Sequence, residues 1–526
     1  MFQNKENIDL KFESRNNKLF SNETISEFKE YSMNKELSLG NSIRERLFLQ
    51  RRMQQKITNN ISDSSFSKIE DNLSISQELY NKCKELTVNI DNLKKIFLWF
   101  NSDELETKYV GIVSIRKLLC ENEPPIEIIY DNNIIYGIIE LLNEKYSVEF
   151  KYQAFWCLIN ITYLNKKGTG IIRKTGGIDK IISLLNNNID EIKEMALWCL
   201  ENMLPDSLKI QNYLVNKKVI NILMTLLSTN NNKKIISHCV SIIKVLIKPY
   251  YKKKKDTADI NKLINIISKL IMEIKYFPED NIIKYIYQDS CFLLSYISEH
   301  FKDHKETFLE NGIIQYIIEL IKNPIIENDE YIFLTLLKII GNVINGNVNQ
   351  TQQILNYDIL PILKKYITNN NKIIQKEICW IISNIVADTE ESMLKVIDNG
   401  FFPLLLQIFE NNDAETRKDV IFALCNFSLL KNKNYLEKLI VNGLLKVICD
   451  LIKSEVLFEI KISLEALITL LAFGQKYSVG KRNLIREEIE KIGLGDVLEK
   501  LQFHRCETIY EKALFILEKF FPTEQF

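Results

Sequence analysis

Glycine and proline are scarce in this sequence, at 16 and 9 of 526 residues. β-Rich folds and doubly wound α/β folds need many tight turns, which depend on these two residues. Their scarcity therefore argues against both fold classes. Apolar residues make up 46% of the chain and recur at helical spacing in long stretches. We therefore predict an all-α fold.

An excess of charge of either sign is also missing, since Lys+Arg and Asp+Glu each total 68. This balance favours neither direct binding of nucleic acid nor binding to a membrane surface. Residues 1–10 contain no apolar signal core, and no apolar run is long enough to span a bilayer. We expect a soluble, intracellular protein.

Catalytic and metal-binding signatures are absent from the sequence as well. The ten cysteines are scattered singly, and the four histidines have no nucleophile motif, phosphate loop or metal spacing near them. We therefore expect no enzyme activity, no metal and no cofactor. Five cysteines lie beside one recurring helix face, and we expect them to be buried as small apolar side chains: Cys157, Cys199, Cys239, Cys291 and Cys379.

The sequence does contain an internal repeat. Trp156 and Asn160 recur 42 residues later as Trp198 and Asn202. Three further asparagines follow at the same period, each four residues after a lysine or aromatic residue: Lys338 with Asn342, Trp380 with Asn384, and Phe422 with Asn426. A period near 42 is typical of armadillo or HEAT units, which bury their apolar faces by stacking on neighbours. We predict a right-handed superhelical solenoid of about ten armadillo repeats over residues 93–521.

The period lengthens in the middle of the chain. The third repeat carries Val240 and Lys244 in place of the pair, and Phe292 and Tyr296 follow only after 52 residues. The extra length coincides with the lysine-rich stretch KPYYKKKKDTAD. We predict a solvated, charged loop over Lys248–Asp259.

Each recurring pair joins what we call an aromatic position to an amide position four residues later. The two side chains lie on one helix face, and asparagine is a poor helix-interior residue, so its recurrence indicates a selected surface. Such a surface suits an extended basic peptide: aromatic rings clamp Lys or Arg stems, and amides bond to the peptide backbone. For any single pair, a core Trp and a capping Asn remain the alternative.

The acid position, three residues before the aromatic position, distinguishes the two halves of the chain. It holds Asp289, Glu377 and Asp419 in the C-terminal half. The corresponding N-terminal residues are not acidic: Gln153, Met195 and Ser237. A lysine at the amide position, Lys244, should repel a basic ligand. We therefore expect the C-terminal half to be the better-preserved site.

Several segments resemble importin-alpha over nearly the whole chain. SIRKLLCENEPPIEIIYDN is similar to the first armadillo repeat of that family, and KEICWIISNIVADTEESMLKVIDNGFFPLL and GNVINGNVNQTQQILN to its middle repeats. GLGDVLEKLQFHRCETIYEKALFILEKFF is similar to its terminal repeat. The resemblance implies a nuclear import adaptor, found in cytoplasm and nucleus, that binds basic nuclear-localisation signals. It also implies importin-beta and a nuclear export receptor as partners.

The resemblance also implies two peptide sites. The major site comprises Trp156, Asn160, Thr169, Trp198, Asn202 and Asp206. The minor site comprises Phe292, Tyr296, Lys338, Asn342, Thr351, Trp380, Asn384, Asp419, Phe422 and Asn426. Loss of the pair at Val240 and Lys244 would shorten the major site.

The N-terminal region faintly resembles the importin-beta-binding segment of the family. Residues 1–58 would form this poorly ordered basic segment, in which four arginines would contact importin-beta: Arg44, Arg46, Arg51 and Arg52. A linker and a first helix would follow over 59–92, and 522–526 would be a tail. A disordered tail before the solenoid is the alternative for the basic segment. An armadillo scaffold that binds another extended peptide, with no part in nuclear import, is the alternative for the whole chain.

Overall fold

A computed structural model describes residues 76–521 apart from 122, 165, 206, 253–256, 369–370, 412–413 and 478–482. The described residues form two compact units, an N-unit of residues 76–300 and a C-unit of residues 301–521. They contain helices and no strand, which confirms the predicted all-α fold. The predicted basic segment, with Arg44, Arg46, Arg51 and Arg52, lies outside the described residues.

The N-unit consists of fourteen described α-helices and a short 3₁₀ turn at Ile90–Asn92. In chain order they are α1 Gln77–Glu85, α2 Leu93–Phe100, α3 Leu105–Leu119, α4 Ile126–Asp131, α5 Ile134–Glu140, α6 Val148–Leu164, α7 Lys166–Lys174, α8 Gly177–Leu184, α9 Asp190–Met203, α10 Leu208–Asn216, α11 Val219–Thr229, α12 Lys233–Lys252, α13 Thr257–Glu273 and α14 Asn281–His300. Two short helices and one long helix alternate through most of the unit, as expected for armadillo repeats.

The C-unit continues the same alternation, with 3₁₀ turns at Lys302–His304 and Phe427–Leu429. Its helices are α15 Lys305–Glu310, α16 Ile313–Ile321, α17 Pro324–Glu327, α18 Glu330–Ile344, α19 Val348–Leu355, α20 Ile359–Ile367, α21 Lys372–Val386, α22 Glu390–Asp398, α23 Phe401–Asn411, α24 Ala414–Asn426, α25 Lys433–Val441, α26 Leu444–Ile452, α27 Leu457–Lys476, α28 Leu484–Lys491, α29 Gly495–Leu501 and α30 Glu507–Phe520. Ten long helices in the described part of the chain, α3, α6, α9, α12, α14, α18, α21, α24, α27 and α30, correspond to the predicted repeats.

A left-handed residue starts the second helix of most repeats. Gly176, Gly312, Gly400 and Gly443 have φ angles of 73°, 77°, 75° and 113°. Glycine adopts this conformation without the Cβ clash that other residues suffer. Where the slot is not glycine, short polar or flexible residues occupy it at φ of 53–55°: Asn133, Lys218 and Asp358. These left-handed residues thus form sharp reversals between paired short helices.

The long helices pack side by side within each unit. In the N-unit α6 contacts α9, α9 contacts α12, and α12 contacts α14. In the C-unit α18 contacts α21, α21 contacts α24, and α24 contacts α27. Large apolar side chains such as Phe155, Phe308 and Phe401 are fully buried between the helices. Equivalent positions of successive repeats are therefore neighbours in space.

The five cysteines beside the recurring face are buried, as predicted: Cys157, Cys199, Cys239, Cys291 and Cys379. Burial raises the pKa of the Cys157, Cys199 and Cys379 thiols, so these groups stay neutral and behave as small apolar side chains.

The predicted charged loop over Lys248–Asp259 is wrong at both ends. Helix α12 continues through Pro249 to Lys252, and α13 begins at Thr257. The cause is the apolar spacing of α12, which carries buried Ile243, Ile247 and Tyr250 on one face. The run of lysines indicated a solvated loop, so the sequence pattern did not predict this extension of the helix.

The described residues include no helix that is both long and apolar enough to cross a bilayer. In the same part of the chain, no three His, Cys, Asp or Glu side chains are grouped so that they could hold a metal ion.

Candidate peptide-binding site

Two neighbouring helices of the C-unit present complete aromatic–amide pairs. Trp380 and Asn384 lie on α21, and Phe422 and Asn426 lie on α24. Trp380 and Phe422 are both half-buried, and the Phe422 ring packs on Phe458 with centroids 5.0 Å apart. Because α21 packs on α24, the two pairs form adjacent steps of one surface.

The Trp380 indole lies against the backbone of the preceding long helix, α18. A Cβ placed on Gly341 would lie only 2.3 Å from Cζ3 of this indole and 2.9 Å from Ile381. The absence of a side chain at Gly341 therefore lets the Cζ3–Cε3 edge of the ring approach the neighbouring helix closely. The Ser383 hydroxyl donates to the Trp380 carbonyl oxygen at 2.8 Å, which ties the same turn of α21.

The amide side chains of the C-unit pairs retain unused hydrogen-bonding capacity. Nδ2 of Asn384 and Oδ1 of Asn426 are buried, and neither has a hydrogen-bond partner among the described residues. Leaving a buried polar atom unpaired costs about 1–3 kcal/mol. Asn384 is half-buried, so an extended peptide backbone can accept a hydrogen bond from its amide, whereas Asn426 is only 1% exposed.

Acidic side chains accompany these pairs. Asp419, on α24, is 1% exposed, and Glu377, on α21, is half-buried. Both engage neighbouring groups of the chain. Their register places each carboxylate one helical turn before an aromatic ring, where it adds negative potential beside a ring that can bind a cation.

The remaining predicted residues of the minor site divide by role. Lys338 and Asn342 lie half-buried on α18, one turn apart, and both contact neighbours. Thr351 is 1% exposed and donates to the Ile344 carbonyl oxygen at 3.1 Å. Thr351 therefore connects α18 to α19 and is not positioned as an accessible ligand group.

In the N-unit, the first pair contacts the chain itself. The Arg116 guanidinium, on α3, lies 4.5 Å from the Trp156 ring centroid. Asn160 Nδ2 donates to Cys120 Sγ at 3.3 Å. Both members of this pair thus have partners in the preceding repeat.

The second pair of the N-unit is also engaged. Trp198 stacks on His238 with centroids 6.3 Å apart, and His238 Nδ1 lies 2.5 Å from Glu201 Oε2. Asn202 is 3% exposed, and its Nδ2 donates to the Ile159 carbonyl oxygen at 3.4 Å. Trp198 Nε1 is a buried donor with no partner among the described residues.

Thr169 is 2% exposed, and its buried hydroxyl has no partner within the described chain. Asp206, the last predicted residue of the major site, lies outside the described residues.

Helices α12 and α14 end the N-unit with a different arrangement. Lys244 Nζ, at the amide position, lies 2.5 Å from Asp289 Oδ1. Beyond it, Phe292, Tyr296 and His300 stack in sequence along α14, with centroid separations of 6.3 and 4.1 Å.

Sequence reasoning missed several groups that contact the predicted site, among them Arg116, Glu201 and His238. None of them occupies an aromatic, amide or acid position. Their contacts depend on the rotation of packed helices, which a repeat period does not reveal. Glu201 carries a weak signal, since it lies three residues after Trp198 and so on the same side of α9.

Comparison with known proteins supports the repeat assignment. The Armadillo/beta-catenin-like repeat profile matches residues 347–387, and the Atypical Arm repeat profile matches residues 483–525. Probable importin subunit alpha-A of Dictyostelium discoideum is 27% identical over 285 residues, 51% of this chain and 50% of that protein. The chain contains armadillo repeats and resembles importin alpha. Importin subunit alpha-3 of Arabidopsis thaliana is 25% identical over 440 residues, 82% of this chain and 80% of that protein.

Other similarities are more limited. Importin subunit alpha-1b of Oryza sativa subsp. japonica is 24% identical over 277 residues, 52% of this chain and 49% of that protein. The chain thus matches about half the length of two of these three relatives. An engineered protein solved by a structural-genomics consortium superposes with a TM-score of 0.62 at 18% identity, covering 81% of this chain and 98% of the engineered one. At that identity the likeness concerns the fold alone.

Proposed function

We propose that this chain is a nuclear import adaptor that binds basic nuclear-localisation peptides in extended form and passes its cargo to importin-beta. The observation that carries the proposal is the half-buried Asn384 side chain, whose buried Nδ2 has no hydrogen-bond partner within the described chain. Similarity to relatives named as importin alpha subunits supports the import role.

In this proposal the peptide crosses α21 and α24. The half-buried rings of Trp380 and Phe422 hold the aliphatic stems of lysine or arginine and attract their charges, at about 0.5–2 kcal/mol per contact. The Asn384 amide bonds to the peptide backbone and sets its direction. The carboxylates of Glu377 and Asp419 favour cationic side chains over neutral ones.

The test is a titration of a bipartite basic peptide against the wild type, Asn384→Ala, Asn202→Ala and Asn411→Ala. Asn411 is an exposed residue of the same unit, away from the pairs, and serves as the matched control. We expect saturable binding that weakens about tenfold in Asn384→Ala, for roughly 1.4 kcal/mol of lost bonding, and stays unchanged in Asn411→Ala. Loss mainly in Asn202→Ala would move the site to the N-unit, and no binding to any variant would refute the adaptor role.

Release of cargo would involve residues 1–72. As a tethered basic segment they compete for the site by effective concentration. The segment has few clustered basic residues, so the competition should be weak. Deletion of residues 1–72 is therefore expected to change peptide affinity by less than about tenfold; a sharp tightening would contradict weak self-inhibition.

A second candidate is an armadillo scaffold that binds another extended peptide. The observation that favours it is the N-unit, whose pairs already contact Arg116, Cys120 and His238 of the chain itself. A neutral extended peptide that binds more tightly than the basic one, and is unaffected by Asn384→Ala, would favour the scaffold.

A further inference from the structure

The pairing of Lys244 with Asp289 is the one ion pair between an amide position and an acid position that the described residues show at close range. The Lys244 ammonium lies 2.5 Å from the carboxylate, and the two side chains are 14% and 5% exposed. They belong to α12 and α14, which pack directly against each other. Removal of either partner from such a buried pair is destabilising, because the other charge is then left buried without a counter-charge.

The register of the repeats identifies what these two positions are elsewhere. In the C-unit an amide position precedes the next acid position by 35 residues, as from Asn342 to Glu377 and from Asn384 to Asp419. From Lys244 to Asp289 is 45 residues, which is the same relation lengthened by the ten extra residues of this repeat. Lys244 therefore stands where other repeats carry an asparagine beside the following acid.

Asp289 is the first acidic residue in this series of acid positions. The three positions before it hold Gln153, Met195 and Ser237. It is the group in the N-unit that would attract the ammonium of a basic peptide at this register. The chain supplies that ammonium itself.

We infer that Lys244 is a specificity-determining residue that occupies the Asp289 subsite as a built-in lysine and so excludes basic side chains of a bound peptide from it. The inference rests on the proposed function, because it concerns which part of the surface a basic peptide can use. Peptides bound at the N-unit must place a neutral side chain at this step, while cationic side chains are directed to the C-unit pairs. Exchange of Lys244 for a neutral residue opens the subsite.

The experiment measures binding of a bipartite basic peptide in an Asn384→Ala background, in which the C-unit site is weakened. Addition of Lys244→Asn should tighten binding at least tenfold, because Asp289 is then left for a peptide lysine. Lys244→Arg keeps the built-in cation and should show no gain. Lys248→Asn removes the same charge from an exposed position one turn further along α12 and controls for net charge. Adding Asp289→Asn to Lys244→Asn should abolish the gain.

Circular dichroism establishes whether Lys244→Asn is folded, and Lys244→Gln, which keeps more of the aliphatic stem, replaces it if it is not. Equal affinity with and without the Lys244 substitution, in folded protein, overturns the inference. An equal gain from Lys248→Asn also overturns it, since bulk charge would then explain the effect. The proposed function fails separately: the protein with no substitution would not bind the peptide, whatever Lys244→Asn does.

Discussion

Replacement of Gly341 by alanine should displace the Trp380 indole without touching any bound peptide. The added Cβ would lie 2.3 Å from Cζ3 and 3.0 Å from Cε3 of that ring, whereas ordinary contacts begin near 3.4 Å. Since the nearest obstacle is a rigid ring, either the indole or α18 must shift by about 1 Å. The substitution thus tests whether close packing of the two helices sets the position of the ring.

Two opposing terms set the expected stability change. Overpacking costs about 1–3 kcal/mol, and replacing a helical glycine by alanine returns about 1 kcal/mol. The net loss is about 0–2 kcal/mol, too small to unfold the chain. Peptide affinity should fall further, because a misplaced ring forfeits about 0.5–2 kcal/mol of cation contact, or roughly a two- to thirtyfold loss.

The assay combines Trp fluorescence with a peptide titration. The chain has four tryptophans, and Trp380 is the one in the C-unit, so acrylamide quenching should increase in Gly341→Ala as its ring becomes more accessible. Gly170→Ala is the matched control, since a Cβ there meets nothing within 4 Å. Unchanged quenching and unchanged peptide affinity in Gly341→Ala would refute the packing argument.

Three further predictions concern the scaffold. Phe155→Ala, at a fully buried site, should lower the free energy of unfolding by about 3–5 kcal/mol. Val441→Ala, at a site 84% exposed, should lower it by about 0.5 kcal/mol or less. Equal losses of stability measured by calorimetry would contradict the core assignment. The hydrogen bond with Thr508 lowers the pKa of the partly exposed Cys506 thiol, and burial raises that of Cys425, so a thiol reagent should modify Cys506 first and Cys425 after unfolding, as read by peptide mass spectrometry. Burial raises the pKa of the Glu465 carboxyl above its ordinary 4.5. The contribution of this group to folding stability is therefore fully present below pH 4.5 and is lost as pH rises through the raised native pKa. Urea midpoints should show the wild type losing stability relative to Glu465→Gln as pH rises, and the reverse trend would mean that pairing with Lys512 dominates.

The repeat architecture was predictable because it depends on local rules. A fixed period of 42 and an i,i+4 pair each depend on regular helix geometry. The burial of Cys157 and Cys199 follows from the same helix periodicity. Helix type and the core face were therefore readable from the residues.

Contacts between repeats were not predictable in the same way. Arg116 over Trp156 and His238 beside Trp198 depend on how far each long helix rotates against its neighbour. The Lys244–Asp289 pair also spans the repeat that is ten residues longer than the period of 42, which hides its register. The extension of α12 to Lys252 was missed because the lysines indicated a solvated loop. Burial of Tyr250 stabilises the helix in spite of these charged neighbours.

The most direct test of the account is photo-crosslinking of a basic peptide that carries a benzophenone between its two lysine clusters. After digestion, mass spectrometry locates the attached residues, and an excess of unlabelled peptide shows which attachments are specific. The account predicts competed crosslinks on α21 and α24, near Trp380, Asn384, Phe422 or Asn426. Competed crosslinks confined to α6 and α9, or none that competitor removes, would contradict it.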